Sequence, residues 1–393
     1  MPTTQNGSSS DLRSYLIQPV PRRVMRVSKW KIITRLFSLL GRKVSHLRLA
    51  SRNPRPERTG GYLPLLMNKR DFTNSGRQVS EIGLGCWQLG GSDWGAIDER
   101  ACFAILSAAV DAGVNFFDTA DVYGGGRSES LIGRFLKQTG HDVFVATKLG
   151  RTGELYPDHY SEATLRAATE ASLTRLGVET LDLTQLHCVP TEILRRGEVF
   201  EWLRKLRDEG KIRHFGASVE SMDEASLCLE QPGLSSLQII FNLFRQKPVD
   251  ALFPAALAKN VAIIVRLPLA SGVLAGNFSA TTVFPENDHR NYNRDGQAFN
   301  VGETFAGLPY SKAVELADAL KPLLPAGLTL AQMAQRWILD HPAVTTVITG
   351  ASRPSQASAN AEASALPSLS EELHGRLRDF YQQEVSAHIR GPY

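Results

Sequence analysis

The feature that most restricts the fold of this chain is the alternation, from residue 82 onward, of short apolar runs with segments patterned at helical period. Runs at 82–85, 114–117, 143–147, 180–187, 212–217, 236–240, 261–266 and 344–349 read as strands, and each is followed by a helical segment. The first such helix, 98–111, has Asp98 to cap it and Gly113 to stop it. Further helices are expected at 161–176, 198–209, 222–229, 249–259, 312–324, 330–340 and 354–365, with a last one at 370–387. Repeats of this kind, eight in about 280 residues, close into a parallel (β/α)8 barrel, the TIM barrel of the α/β class, more readily than they form an open sheet. The stretch 276–308 is polar, rich in Gly and Asn, and without period, so a long excursion over one face is expected there.

The strand ends carry the chemistry. The second run stops at Asp118, the third at Lys148 and the fourth at His187, and parallel α/β folds bind ligands at the carboxyl edge where such side chains emerge. Tyr123 stands in the Gly-rich loop between the second and third runs. An Asp or Lys at one strand end is commonly a cap or a rim charge; three ionisable ends on consecutive repeats, with a phenol above them, point to a shared site. A phenol is a weak acid until a nearby cation stabilises its anion, so Lys148, held by Asp118, is expected to make Tyr123 a general acid at neutral pH. A neutral His187 would donate to a substrate oxygen beside it. No cluster of carboxylates or histidines accompanies it, so no metal is expected.

Charge is distributed unevenly. Residues 1–66 carry 13 Lys or Arg against Asp11 and Glu57, a net +11, while the remainder is net −7. The basic balance therefore belongs to an N-terminal extension, expected to be poorly packed, and not to the 67–393 domain, which gives no reason to expect a nucleic-acid partner. Three readings of the extension stand side by side: a basic amphipathic stretch at 24–43 for an anionic membrane surface, an organelle transit peptide, or sequence upstream of a start at Met67. No apolar run reaches the length of a membrane span. The cysteines, Cys86, Cys102, Cys188 and Cys228, show neither metal-ligand spacing nor disulfide density, which fits a reducing, cytoplasmic setting.

The segments GLGCWQLGG, NFFDTADVYGGGRSE, VATKLG, LTQLHCV, GKIRHFGAS, VRLPLASGVLAGN and ITGASRPSQASAN occur in this order and strongly resemble the aldo-keto reductase family. The resemblance implies a catalytic tetrad of Asp118, Tyr123, Lys148 and His187, with Tyr123 giving a proton to a carbonyl oxygen and His187 orienting it. It implies a nicotinamide cofactor lying extended across the barrel mouth and a small-molecule carbonyl substrate; a Gly-rich dinucleotide fingerprint is not expected in such a barrel. By the same resemblance Ser218 and Gln238 hold the carboxamide of the nicotinamide, and Leu267, Pro268, Leu269, Ser271 and Gly272 cover the pyrophosphate. Trp87 lines the mouth, and Gly350, Ser352, Arg353, Gln356 and Asn360 form an anion-binding helix start. Arg353 suits a ribose 2′-phosphate, which favours NADP(H), with NAD(H) as the alternative.

Four positions depart from the family's pattern. Val219 stands where many members have Asn, and Cys188 where Arg is common. Arg266 replaces an aromatic ring stacked on the nicotinamide, as in a similar bacterial subgroup with Arg-x-Pro-Leu-Ala, and its planar guanidinium is expected to stack likewise. Ala359 replaces an acid that often contacts adenine. Two other functions share this framework: a cofactor-sensing subunit resembling the potassium-channel β subunits, and an alcohol or sugar dehydrogenase running oxidatively. Substrate identity and oligomeric state are not encoded in these motifs.

Overall fold

The computed structural model describes residues 67–393, apart from Asn74, Ser92, Gly95 and Ala96. The basic extension 1–66 and the expectations placed on it lie outside the described residues. A two-stranded antiparallel hairpin, β1 (Lys69–Asp71) and β2 (Gln78–Ser80), precedes a closed barrel. The barrel strands are β3 (Ile82–Gly85), β4 (Phe116–Asp118), β5 (Phe144–Leu149), β6 (Leu181–His187), β7 (Ile212–Ser218), β8 (Ser236–Ile240), β9 (Ala262–Arg266) and β10 (Val344–Gly350). Each is parallel to both neighbours, and β10 closes the ring against β3. The eight expected strands are the eight found, with ends shifted by at most two residues.

Side chains alternate across a strand, so every second residue faces the barrel axis. Phe116, Phe144, Ala146, Leu183, Ala262, Ile264 and Ile348 form one buried cluster. Their neighbours Phe117, Val145, Ile263, Val265 and Val347 belong to a second, larger cluster shared with the helices. Two residues beyond the inner apolar set, on the same inward parity, come Asp118, Lys148, Gln185 and Arg266, and one step further His187. The polar site is therefore the top layer of an otherwise apolar barrel filling.

The hairpin was not expected from the sequence, because three-residue strands with charged or polar ends leave no periodic signal. It supplies Phe72 and Val79 to the inner cluster, with Phe72 4.7 Å from the ring of Phe144. It thereby plugs the end of the barrel away from the site.

Capping fixes the helix starts as the sequence suggested. Asp98 accepts from the Ala101 amide, and Ser161 and Thr164 form a capping box, as do Thr329 and Gln332; such caps are worth about 1 kcal/mol each. Some helices differ from expectation. The 249–259 helix is broken into Pro248–Ala251 and Phe253–Ala258 at Leu252, with Pro254 in the first turn of the second piece. The 312–324 helix begins earlier and ends at Leu320, before Pro322. The helix after β10 runs Pro354–Ala361 and then tightens into Glu362–Ala365. The last helix is regular only over Glu371–Phe380, widening to a π turn at Tyr381–Val385. Thr191–Arg196 is an additional short helix.

The excursion 276–308 is more structured than its composition suggests. It contains a helical turn at His289–Tyr292 and buries Phe284, Asp288, His289, Asn293 and Phe305. Arg390 ties it to the chain's end, donating to the carbonyls of Gly307 and Leu308 and pairing with Asp295 at 2.8 Å. Among the described residues no helix is long and apolar enough to cross a membrane.

Candidate active site

Lys148 is the hub of the site. Its ammonium is buried and donates to Asp118 Oδ1 at 2.5 Å, to the Thr119 carbonyl at 2.9 Å and to the Tyr123 hydroxyl at 3.1 Å. All three ammonium protons are thus assigned. The second Asp118 oxygen accepts from Gln238 Nε2 at 2.7 Å and Gln185 Nε2 at 3.3 Å. Asp118 is therefore held from two sides, and it in turn holds Lys148 charged. Burial opposes that charge, but Asp118 and Tyr123 together raise the Lys148 pKa above the ordinary lysine range.

Tyr123 is brought over this pair by a loop with little freedom. Gly124, with φ of +61°, packs its backbone against Gly90, and a Cβ there would overlap the Gly90 carbonyl. The Asp121 amide donates to the Lys148 carbonyl at 3.0 Å, and Ser128 Oγ ties the following helix to the Cys86 carbonyl at 2.9 Å. Because the phenol oxygen accepts from Lys148, its own proton has no acceptor among the described residues and is directed at the cavity.

The expectation of an acidified phenol is corrected. Burial pushes the Tyr123 pKa up to about 12, outweighing the pull of Lys148, and Asp118 adds to the rise. His187 is also buried, with its ring 5.8 Å from that of Tyr123 and edge-on to it. Burial, then Lys148, Arg151 and Arg266, lower its pKa well below the ordinary histidine value, so the imidazole is neutral as expected. Its Nδ1 is buried without a partner among the described residues.

A cavity of about 1100 Å³ opens above these groups and runs to the loop after β10. Every residue named from the sequence for catalysis or cofactor lines it except Lys148, which lies behind Tyr123. Trp87 stacks on Tyr123 with ring centroids 5.8 Å apart, and its Nε1 donates to Asp93, which also accepts from Tyr292. Ser218 Oγ lies 3.7 Å from Cys188 Sγ. Leu267, Ala270, Ser271 and Gly272 all have positive φ, a tight turn after β9 in which the Ala270 and Gly272 amides donate to the Leu267 and Leu269 carbonyls. Beyond β10, Ser352 and Gln356 close a hydrogen-bonded turn that leaves Arg353, the N-cap of Pro354–Ala361, exposed. Asn360 bonds to the Gly350 carbonyl.

Three of the four departures from the family's pattern prove to be one local arrangement. Arg266 Nη2 donates to the Val219 carbonyl at 3.1 Å and approaches Cys188 Sγ at 3.8 Å, while Nη1 pairs with Glu303 Oε2 at 2.5 Å. The small cysteine at 188 leaves room for that guanidinium, and at 219 the contact is with the backbone carbonyl. The pairing carboxylate comes from the excursion, so Arg266 is pinned at its edge while its plane stays on the cavity wall.

Some site residues escaped the sequence reading. Gln185 was legible in principle, since it stands two residues before His187 on one strand. Asp93, Arg151, Tyr292, Phe299 and Glu303 sit in loops or single helical turns whose sequence has no period, where nothing in the pattern distinguishes them from solvated residues. Gln238 is more constrained than expected: its amide nitrogen is spent on Asp118 and Gln185, leaving only its carbonyl oxygen for an incoming amide.

The donor set fits a nicotinamide dinucleotide. The cavity joins a buried imidazole nitrogen that has no partner among the described residues, the turn at 267–272, and an exposed guanidinium at a helix start.

Comparison with known proteins agrees. The chain is 31% identical over 301 residues to aldo-keto reductase YhdN of Bacillus subtilis, covering 75% of this chain and 88% of that one. It is 30% identical over 271 residues to aldo-keto reductase yakc [NADP(+)] of Schizosaccharomyces pombe, covering 66% and 76%. Among solved structures, glycerol dehydrogenase AKR11B4 from Gluconobacter oxydans superposes with a TM-score of 0.67 at 29% identity, over 83% of this chain and 98% of that one. Residues 81–382, from the first barrel strand into the final helix, match the pattern described as the aldo/keto reductase family, and the chain belongs to that family of oxidoreductases.

Proposed function

We propose that this protein reduces an aldehyde or ketone to the alcohol with NADPH, Tyr123 acting as proton donor. The observation that carries the reading is the hydrogen-bond polarity around Lys148: the ammonium donates to the phenol oxygen, so the phenol proton faces the cavity next to a neutral imidazole. A carbonyl oxygen seated between Tyr123 and His187 receives two donors, which aligns it and stabilises charge that develops there. A reduced nicotinamide held in the cavity would supply the hydride that such a carbonyl carbon takes up. As the oxygen becomes alkoxide-like it is far more basic than a phenolate, so Tyr123 gives up its proton downhill even with a pKa near 12. Lys148 then stabilises the phenolate, and Asp118, with Gln185 and Gln238 behind it, keeps the ammonium aimed.

The raised phenol pKa also speaks to direction. Reduction needs Tyr123 protonated, the state it holds at neutral pH, whereas oxidation needs the phenolate and belongs to alkaline solution. NADPH over NADH is supported by the exposed Arg353 at the helix start, whose fork suits a 2′-phosphate, and by the yeast relative whose name prints NADP(+).

The test is Tyr123→Phe. Aldehyde-dependent NADPH consumption should fall by roughly 10²- to 10⁴-fold, the range for loss of a general acid, while NADPH binding measured by fluorescence persists. Near wild-type turnover would remove Tyr123 from the chemistry. Wild-type protein that binds NADPH and turns over none of an aldehyde panel would instead indicate a cofactor-sensing role.

A further inference from the structure

The tetrad end of the cavity is lined by three guanidiniums, and two are neutralised in place. Arg266 is locked onto Glu303 at 2.5 Å. Arg290 is locked onto Asp288 at 2.6 Å and stacks over Trp94 and Phe284. The third, Arg151, feels the carboxylates of Glu303 and Glu220 only from a distance, and makes no direct ion pair and no hydrogen bond among the described residues, although it is half-buried and on the cavity wall.

Its position is nevertheless fixed. Gly150, just past β5, is anchored by the Tyr160 hydroxyl, which donates to its carbonyl at 2.7 Å. The Arg151 guanidinium then lies 5.8 Å from the ring centroids of both Tyr156 and Phe299. Contact with aromatic rings engages the guanidinium through its π face and spends none of its N–H donors. What remains is a planar fork of donors, oriented but unsatisfied, beside His187, whose proton affinity it lowers. β5 lies across the barrel from β9, so Arg151 is on the opposite wall from the 267–272 loop expected to cover a pyrophosphate.

We propose that Arg151 binds a carboxylate carried by the carbonyl substrate, so that the site selects oxo-acids and acid-bearing aldehydes over neutral carbonyls. This rests on the reductase reading above. A carbonyl seated at Tyr123 and His187 places the far end of a small substrate among Arg151, Phe299 and Trp87, where apolar rings cover its carbon skeleton and the fork meets its acid.

The experiment uses the full chain with NADPH and a pair of aldehydes that differ in charge and by one methyl group, 4-carboxybenzaldehyde and its methyl ester. Wild-type kcat/KM should favour the acid, and Arg151→Gln should lower the acid-to-ester ratio by roughly ten- to a hundredfold, mainly through the acid's KM, as expected for loss of a charge-assisted contact. Arg151→Lys should restore part of the ratio. A wild-type ratio near one, or a ratio unchanged by Arg151→Gln, overturns the proposal. If wild-type protein reduces neither aldehyde, the reductase reading has failed, and calorimetric titration of 4-(hydroxymethyl)benzoate into the NADP⁺-loaded protein decides the anion site separately. Binding lost in Arg151→Gln upholds it, and equal binding to both proteins overturns it.

Discussion

Asp121 shows how tightly the site's charges are balanced. It sits two residues before Tyr123, buried, with no side chain among the described residues donating to either carboxyl oxygen. Burial, helped by Glu129, pushes its pKa up to about 7, against the pull of Arg175, the Val122 amide and Lys148. An acid whose folded pKa exceeds its unfolded one is protonated first in the native state, so its penalty is greatest above pH 7 and disappears as pH falls toward 4. Asp121→Asn should therefore raise stability at pH 8 by ~1–3 kcal/mol, with the gain shrinking toward pH 5. Urea unfolding midpoints at the two pH values measure it; an equal shift at both would mean the carboxyl is not titrating in this window. Arg266, Cys188 and Val219 make a related point at this scale: each reads alone as an unrelated departure from a family's pattern, and only contact shows that they accommodate one guanidinium.

At the level of elements, the excursion 276–308 is fastened at points its composition does not reveal. Glu303 pairs with Arg266, the Glu303 carbonyl and the Phe305 amide both engage Ser271 Oγ, and Tyr292 shares Asp93 with Trp87. Removing one partner of a buried ion pair leaves the other uncompensated, so Glu303→Ala should cost about 2–4 kcal/mol and free the segment. A lowered melting temperature together with faster proteolytic cleavage within 276–308 is the expected outcome; wild-type cleavage rates would show that the pair does not hold the segment down. The barrel strands were legible because parallel strands buried on both faces read as continuous apolar runs, and the tetrad because it sits at their ends. The hairpin was not, since it contributes only Phe72, in its turn, and Val79, in β2, to the inner cluster and its strands are otherwise polar. Arg151 and Glu303 were not, since a charge in an aperiodic loop becomes meaningful only once its neighbours are known.

Across the whole molecule, acid should be more damaging than the acidic residues alone suggest. Burial drives the pKa of His289 and His341 down to about 4 and that of His187 well below the ordinary value, so all three stay neutral in the fold. An unfolded histidine takes up a proton near pH 6.5, so as pH falls from there to about 4 the unfolded state gains protons that the native state refuses, and stability is lost. His214, also lowered by burial, adds to this loss, while Asp121 and Glu220, whose pKa values burial raises, act against it. Denaturation monitored between pH 6.5 and 4.5 measures this slope; a flat or rising profile would contradict the neutral burial of these rings.

The inward parity of the barrel strands reaches beyond the present site. Asp118, Lys148, Gln185 and His187 owe their aim to counting along β4, β5 and β6, with Asp118 beside Ala146 and Lys148 beside Gln185. One residue inserted within such a strand would swing everything downstream of it out beneath the helices. The spacing within these strands therefore has no latitude, and the length of the turns that carry Tyr123 and Glu303 has little more.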